Sequence, residues 1–271
     1  MSSNILDFYG LRFQPFPQRM NDSNRQFATR DLETTKAVLR YTLSDMGICM
    51  ICGDTGRGIS YAVYCFTQEL DRSRSTVRCV PICHICPRDF YRETCRVIGA
   101  APPGRSRQAM ITALRQGAMD LKAHGKPLFL VLDNAQNLPD LVLWDLVSLT
   151  SSDFGLENLM TLVLCGTKDL KYRIQLPENQ NLEENLSTHY VFNGLSAQEV
   201  SDYVRNRISI SGGQEGMVSE EALEALYELS CMGSIRELNN IMRTALLIGA
   251  QAGEKMIGLE ILRAAAEHRK L

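Results

Sequence analysis

No apolar run in this 271-residue chain reaches the ~20 residues needed to span a bilayer, so no membrane-spanning helix and no membrane partner are expected. Neither sign of charge is in excess. The 29 Lys and Arg against 31 Asp and Glu give a formal charge of -2 and a pI near 6.1. A global basic signature is therefore missing, and any nucleic-acid contact must come from a local patch or from assembly. The opening Met1-Ser2-Ser3-Asn4 lacks the basic-then-apolar pattern of an export signal. The nine cysteines (49, 52, 65, 79, 83, 86, 95, 165 and 231) are odd in number, which fits a reducing cytoplasm better than a disulfide framework. At 45% hydrophobic and 22% charged residues the chain is not that of a disordered protein.

What is present centres on Gly53-Asp54-Thr55-Gly56-Arg57-Gly58-Ile59-Ser60. It reads as a phosphate-binding loop, G-x-x-x-x-G-K-[ST], with Ile59 in the lysine position. In an intact loop the backbone N–H groups cradle phosphates, the lysine bridges the outer two, and the Ser or Thr hydroxyl holds Mg²⁺. Here the cradle and Ser60 remain and the cation is gone. The context is that of such a loop: Gly47 to Cys52 is a short apolar run before it, and Ser60 to Leu70 reads as a helix after it. Further along, Pro127 to Asp133 is a buried strand ending in an acid, the pattern of a Walker B aspartate that orients Mg²⁺ or its waters.

Strands and helices alternate through this region. Val77–Ile82 and Leu159–Cys165 read as further strands, and Asp31–Ser44, Pro87–Ile98 and Gln108–His124 as helices, with Thr29 or Asp31 capping the first. A Pro/Gly connector covers Ala100–Ser106. The alternation predicts an α/β fold, a parallel sheet covered on both faces. After Gly194 the pattern is wholly helical: Ser196–Ile208, Ser219–Leu229, Ser234–Gln251 and Gly258–Lys270. Ser196 with Glu199 makes a capping box, and Ser219 caps its helix by its hydroxyl alone. Residues 1–30 form a lead-in in which Pro15 and Pro17 block regular helix. The expected organisation is thus a lead-in over 1–30, a nucleotide-binding core over 31–191 and a helical lid over 192–271.

Several motifs together resemble the ExeA-like AAA+ ATPases and the related transposition ATPases of the TniB, IstB and TnsC type. Phe8-Tyr9-Gly10-Leu11 followed by Pro15-Phe16 is similar to that family's opening, and Leu132-Asp133-Asn134-Ala135-Gln136-Asn137-Leu138 to its D-E-A-Q box. Leu164-Cys165-Gly166-Thr167 resembles the sensor 1 strand end, Phe192 to Ser196 the passage into the lid, and Gly233-Ser234-Ile235-Arg236 the sensor 2 G-x-x-R. Ala245 to Ala250 is similar to the helix that follows. The resemblance implies a P-loop AAA+ three-layer αβα fold with a C-terminal helical lid, and ATP or ADP with Mg²⁺ as ligands. It places nucleotide contacts at Gly53, Asp54, Thr55, Gly56, Arg57, Gly58, Ile59, Ser60, Tyr61 and Arg236, metal contacts at Ser60 and Asp133, Walker B at Asp133 and Asn134, and sensor 1 at Thr167.

The departures bear on catalysis. Isoleucine at 59 can neither neutralise nor donate to phosphate, and charge-assisted contacts are the strong ones. Asn134 stands where a glutamate would polarise the attacking water, and asparagine accepts no proton as a base. Thr167 replaces a glutamine. The segment Leu182 to Leu186 offers no arginine finger, Asn185 standing in its place, and such a finger contributes about 10³–10⁵ in rate in related chemistry. Little or no ATP turnover is expected. Arg57, a cation within the loop, is a candidate to stand in partly for the lysine, at a variable position that more often faces solvent.

Other groups carry weaker signals. Cys79, Cys83, His84 and Cys86 sit at the end of an expected strand with no second pair of ligands downstream, so structural packing is expected rather than zinc. Arg205, Arg207, Arg236 and Arg243, with Asp202 among them, are a candidate basic surface for double-stranded DNA, multiplied by assembly into a homo- or hetero-oligomer. Trp144 and the apolar Leu141, Val142, Leu143, Leu146 and Val147 are expected to belong to the core helix after Walker B rather than to a partner site. The resemblance points to a transposition assembly or target-selection role beside a transposase. The alternatives are a catalytically silent scaffold subunit, and a secretion-type role, against which the lack of a transmembrane or peptidoglycan-binding segment counts.

Overall fold

A computed structural model describes residues 2–18, 26–102, 104–152 and 155–268. Part of the proline-rich lead-in, Pro103 of the connector and the expected helix end at Lys270 lie outside the described residues. Helices α1 (Ser2–Tyr9), α2 (Arg30–Asp45), α3 (Ile59–Glu69), α4 (Pro87–Ile98), α5 (Arg107–Ala123), α6 (Asp140–Thr150), α7 (Lys168–Ile174) and α8 (Gln180–Glu184) are interspersed with strands β1 (Ile48–Gly53), β2 (Thr76–Pro81), β3 (Leu128–Asp133), β4 (Met160–Gly166) and β5 (Leu186–Phe192). Helices α9 (Ala197–Ile210), α10 (Glu220–Leu229), α11 (Ile235–Ala252) and α12 (Leu259–Glu267) follow. These elements form two compact units. One comprises Leu32–Asp54 and Ile59–Phe192, and the other the described residues of Met1–Asp31, Thr55–Gly58 and Asn193–Leu271.

The first unit is built on a five-stranded parallel sheet in the order β2-β3-β4-β1-β5. Side chains on a strand alternate between faces, and the apolar runs of β1, β3 and β4 divide accordingly. Ile48, Met50, Cys52, Leu128, Leu130, Leu132, Leu162 and Leu164 join the cluster formed with α4, α5 and α6. Cys49, Ile51, Phe129, Val131, Val163 and Cys165 join the cluster formed with α2 and α3. Both faces are covered, as near-continuous hydrophobic strands require. The edge strand β5 has a largely half-exposed sequence, Leu186 to Phe192, whose alternation sequence reading did not assign to a strand.

Lys36 ties α2 to the end of α3 in this unit. Its side chain is only 4% exposed, and its Nζ lies 2.7 Å from Glu69 Oε1 and 3.6 Å from Glu33 Oε1. Burial pushes the Lys36 pKa down, but the hydrogen bond and charge of Glu69 more than offset it, and the net shift is upward. The Lys36 hydrogen bond holds the Glu69 carboxyl below its usual range.

In the second unit Tyr9, Leu11 and Phe16 pack into one cluster with residues of α9 to α12, among them Val204, Leu226, Leu238, Met242 and Leu262. The lead-in is thus an integral part of a helical core. Its first eight described residues are helical, contrary to the expectation of an irregular segment, because Pro15 and Pro17 lie beyond α1 and remove none of its hydrogen bonds. The capping box at Ser196 and Glu199 is formed in both directions, and the Ser219 hydroxyl accepts from Ala222 N–H. Asp31 is no cap: it lies inside α2, buried, and its Oδ2 accepts the N–H groups of Asn193 and Gly194 at 2.7 Å each.

Side-chain burial bears on three of these expectations. Arg207 is buried and donates from Nε to the Pro15 carbonyl at 2.7 Å, so it contributes to the helical core and not to a basic surface. Trp144 and Leu141 are exposed while Val142, Leu143 and Leu146 are buried, because α6 presents only one face to the sheet. Cys79, Cys83 and Cys86 are exposed, and so is His84, since they lie on the outer edge strand and the turn after it. They do not pack in the core. No group of three or more His, Cys, Asp or Glu suited to a metal occurs among the described residues.

Glu69→Ala is expected to destabilise by about 2 kcal/mol, since it takes the nearest carboxylate from a buried ammonium, whereas Lys36→Met removes the charge itself and is expected to cost less than about 1 kcal/mol. The lowered Glu69 pKa makes the pair's contribution complete above about pH 4.3 and lost as pH falls through the folded value. The raised Lys36 pKa keeps it complete below about pH 10.4 and loses it as pH rises through the folded value. Urea midpoints of both variants across pH check this; equal losses at neutral pH would refute it.

Candidate functional site

Strand β1 delivers the glycine loop at the C-terminal edge of the parallel sheet, where ligands bind in open α/β folds. Within the sheet unit, Ser60 Oγ donates to Asp133 Oδ1 at 3.0 Å, and the same oxygen accepts Asn134 N–H at 3.1 Å. Ser60 lies in the first turn of α3, and Asp133 ends β3, half-buried, with Cys165 of β4 beside it in register. Tyr61 follows on α3 with its ring 6.5 Å from that of Tyr64, packed against the apolar cluster below.

Ile59 is partly buried against that same cluster. Its Cδ1 lies 3.3 Å from where a Cβ on Gly53 would stand, and Phe192 O is 2.5 Å from the same point. Position 53 therefore admits only glycine. Position 59 serves packing at the base of the loop.

Asn134 has φ 60° and ψ 41°, left-handed backbone that asparagine tolerates better than most residues. Next to it, Gln136 bridges to β4: its Oε1 accepts Thr167 N–H at 3.2 Å and sits 2.6 Å from where a Cβ on Gly166 would be, while Arg173 Nη1 donates to its carbonyl at 2.7 Å. The Thr167 hydroxyl donates to Asp169 Oδ2 at 3.0 Å. Immediately after Thr167, Lys168 Nζ meets Asp54 Oδ2 at 2.9 Å. Lys168 and Gln136 stand beside the candidate residues Asp54 and Thr167, and the sequence alone does not single them out. The Gln136 signal was legible in the box resemblance, but Lys168 had none beyond its position after the strand.

The tip of the loop, Thr55–Gly58, groups with the helical unit. Gly56 has φ +83° and its carbonyl accepts the N–H of Arg236 at 3.0 Å, at the start of α11. A Cβ at Gly56 would lie 2.8 Å from Ser234 Oγ. Arg57 donates to the Met232 carbonyl, and its Cδ lies 2.5 Å from where a Cβ on Gly194 would stand. Arg236 is exposed. Asn185, at the expected finger position, is exposed and donates to Asn181 O at 2.7 Å. In the helical unit Arg205 pairs with Glu220, and Arg243 donates to Asn240 Oδ1 at 3.0 Å.

The strand order, the loop after β1 and the acid at the end of β3 make up a P-loop AAA+ fold. Residues 42–174 match the AAA domain family. The chain is 27% identical over 264 residues to the general secretion pathway protein A of Aeromonas hydrophila, covering 96% of this chain and 48% of that one. It therefore spans about half the length of that relative. Among solved structures, Cdc6p from Pyrobaculum aerophilum superposes with a TM-score of 0.70 at 19% identity, over 97% of this chain and 70% of that one. The Aeropyrum pernix ORC1 protein, in complex with DNA, gives 0.68 at 16% identity over 94% and 69%. These likenesses show the P-loop AAA+ fold and a similarity to the general secretion pathway protein A. No helix among the described residues is long and apolar enough to cross a membrane.

Asn134→Glu is expected to destabilise the protein by about 1 kcal/mol, because glutamate lacks asparagine's tolerance of left-handed backbone. Thermal and urea unfolding of the single variant check this, and an unchanged or raised midpoint would contradict it.

Proposed function

We propose that this chain is a nucleotide-binding AAA+ protein with little or no ATP turnover, acting through assembly rather than through a hydrolytic cycle. The observation that carries the reading is the Ser60–Asp133 hydrogen bond beside a loop whose lysine position is filled by a packed isoleucine. A serine hydroxyl and a carboxylate, both hard oxygen donors, suit Mg²⁺, which takes one or two protein oxygens beside phosphates and water. Ser60 would hold the ion directly and Asp133 its outer shell; when bound, Mg²⁺ neutralises phosphate charge. The loop N–H groups would hold the phosphates, and Arg236, whose own N–H meets the Gly56 carbonyl at the loop tip, would be a cation beside that tip. Asn134 cannot take a proton from water, and the Thr167 hydroxyl is engaged by Asp169.

The partners proposed are a transposase and double-stranded DNA, the DNA contacted by an oligomer. Support comes from the motif resemblance and from the fold shared with the A. pernix ORC1 protein, which was solved in complex with DNA. With Arg207 buried and Arg205 paired, one subunit offers a weak basic patch, and only summed phosphate contacts across subunits would yield firm binding. A secretion role is the second reading, favoured by the similarity along nearly the whole chain to the general secretion pathway protein A.

Calorimetry is expected to give Mg-dependent binding of ATP and ADP in the high micromolar to millimolar range with background hydrolysis, and an Ile59→Lys, Asn134→Glu double variant is expected to gain turnover. Absence of binding at millimolar nucleotide would sink the nucleotide reading. Cooperative, salt-sensitive binding to duplex DNA supports the transposition role; no DNA binding at low salt, with or without ATP, would remove it in favour of secretion.

A further inference from the structure

The chain has lost the loop cation at position 59, yet a lysine stands at the same edge of the sheet. Cys52 of β1 pairs with Gly166 of β4, so the two chains leave the sheet side by side. The next residues on one are Gly53 and Asp54, and on the other Thr167 and Lys168. Lys168 Nζ and Asp54 Oδ2 meet there at 2.9 Å, with both side chains nearly half exposed. Burial raises the Cys52 thiol pKa, and the Lys171 and Lys168 ammonium groups work against that rise, so both charges bear on the end of β1. Arg57, the cation inside the loop, is engaged by the Met232 carbonyl.

We propose that Lys168, held beside the phosphate loop by Asp54, supplies the cation for the terminal phosphate of a bound nucleoside triphosphate in place of the missing lysine. This rests on the nucleotide-binding reading above. An exposed ion pair is weak because water screens it. An ammonium group exchanging that carboxylate for a multiply charged phosphate gains a stronger charge-assisted contact. Lysine suits the exchange, being a compact point charge on a flexible stem with three rotatable donors. Asp54 then has two effects: it keeps Lys168 at the loop without ligand, and it competes with phosphate for it. The arrangement also gives a preference, since a cation directed at the terminal phosphate of ATP has less to bind in ADP.

The test is equilibrium binding of Mg-ATP and Mg-ADP by calorimetry to the full chain, with unfolding midpoints as a control for folding. Lys168→Ala is expected to weaken ATP about tenfold and ADP less than about twofold, a tenfold change being ~1.4 kcal/mol. Lys168→Arg should retain most of the affinity, and Asp54→Asn should tighten ATP. In an Ile59→Lys background, Lys168→Ala should change ATP affinity little, because the loop cation is restored. Wild-type ATP affinity in Lys168→Ala, or equal losses for ATP and ADP, would overturn the proposal and leave the nucleotide reading standing. Failure of the wild-type protein to bind either nucleotide would overturn both.

Discussion

The parallel register of β1, β4 and β3 is the constraint on which the rest of this site depends. Cys52 opposite Gly166 and Asp133 opposite Cys165 bring three chain segments to one edge at one height. A slip of one residue would turn every apolar side chain of a strand to the other face. The two clusters on either side of the sheet hold the register because both faces are buried. Their packing therefore sets the distance between Ser60 and Asp133 as surely as any contact in the site itself.

Within that frame, positions that would act on a nucleotide have other occupations. Ile59 lies on the cluster beneath the loop, Thr167 donates to Asp169, and Arg57 donates to the Met232 carbonyl. Each contact is local to its own unit. The loop backbone keeps its shape regardless, through Gly53 at its base and the left-handed Gly56 at its tip. Cradle geometry and cation chemistry are thus separable features of this motif: one belongs to the backbone and its neighbours, the other to a single side chain.

Much of the architecture was legible because burial imposes a period on sequence. The runs at β1, β3 and β4 were read to within one residue, and α4 as observed, since buried parallel strands and amphipathic helices leave plain patterns. The edge strand β5 lacks the continuous apolar run of the inner strands, because much of it is half exposed. Helix α1 forms ahead of Pro15 and Pro17, whose effect on helix is local to their own turn and does not extend back over Ser2–Tyr9. Arg207 and the cysteines at 79, 83 and 86 were misplaced because residue type alone does not reveal which side of an element faces outward.

The sequence by itself determined the chemistry on offer: a glycine loop with a hydroxyl and no lysine, an acid at the end of a buried strand, and an asparagine where a base would stand. These follow from residue identity and short-range periodicity. Only the tertiary structure decided which groups meet. Lys168 and Asp54 are 114 residues apart, and Arg207 reaches Pro15 across 192. Such pairs form because strand order and helix packing bring distant segments together, and an order of strands set by long-range burial leaves no local pattern in the chain.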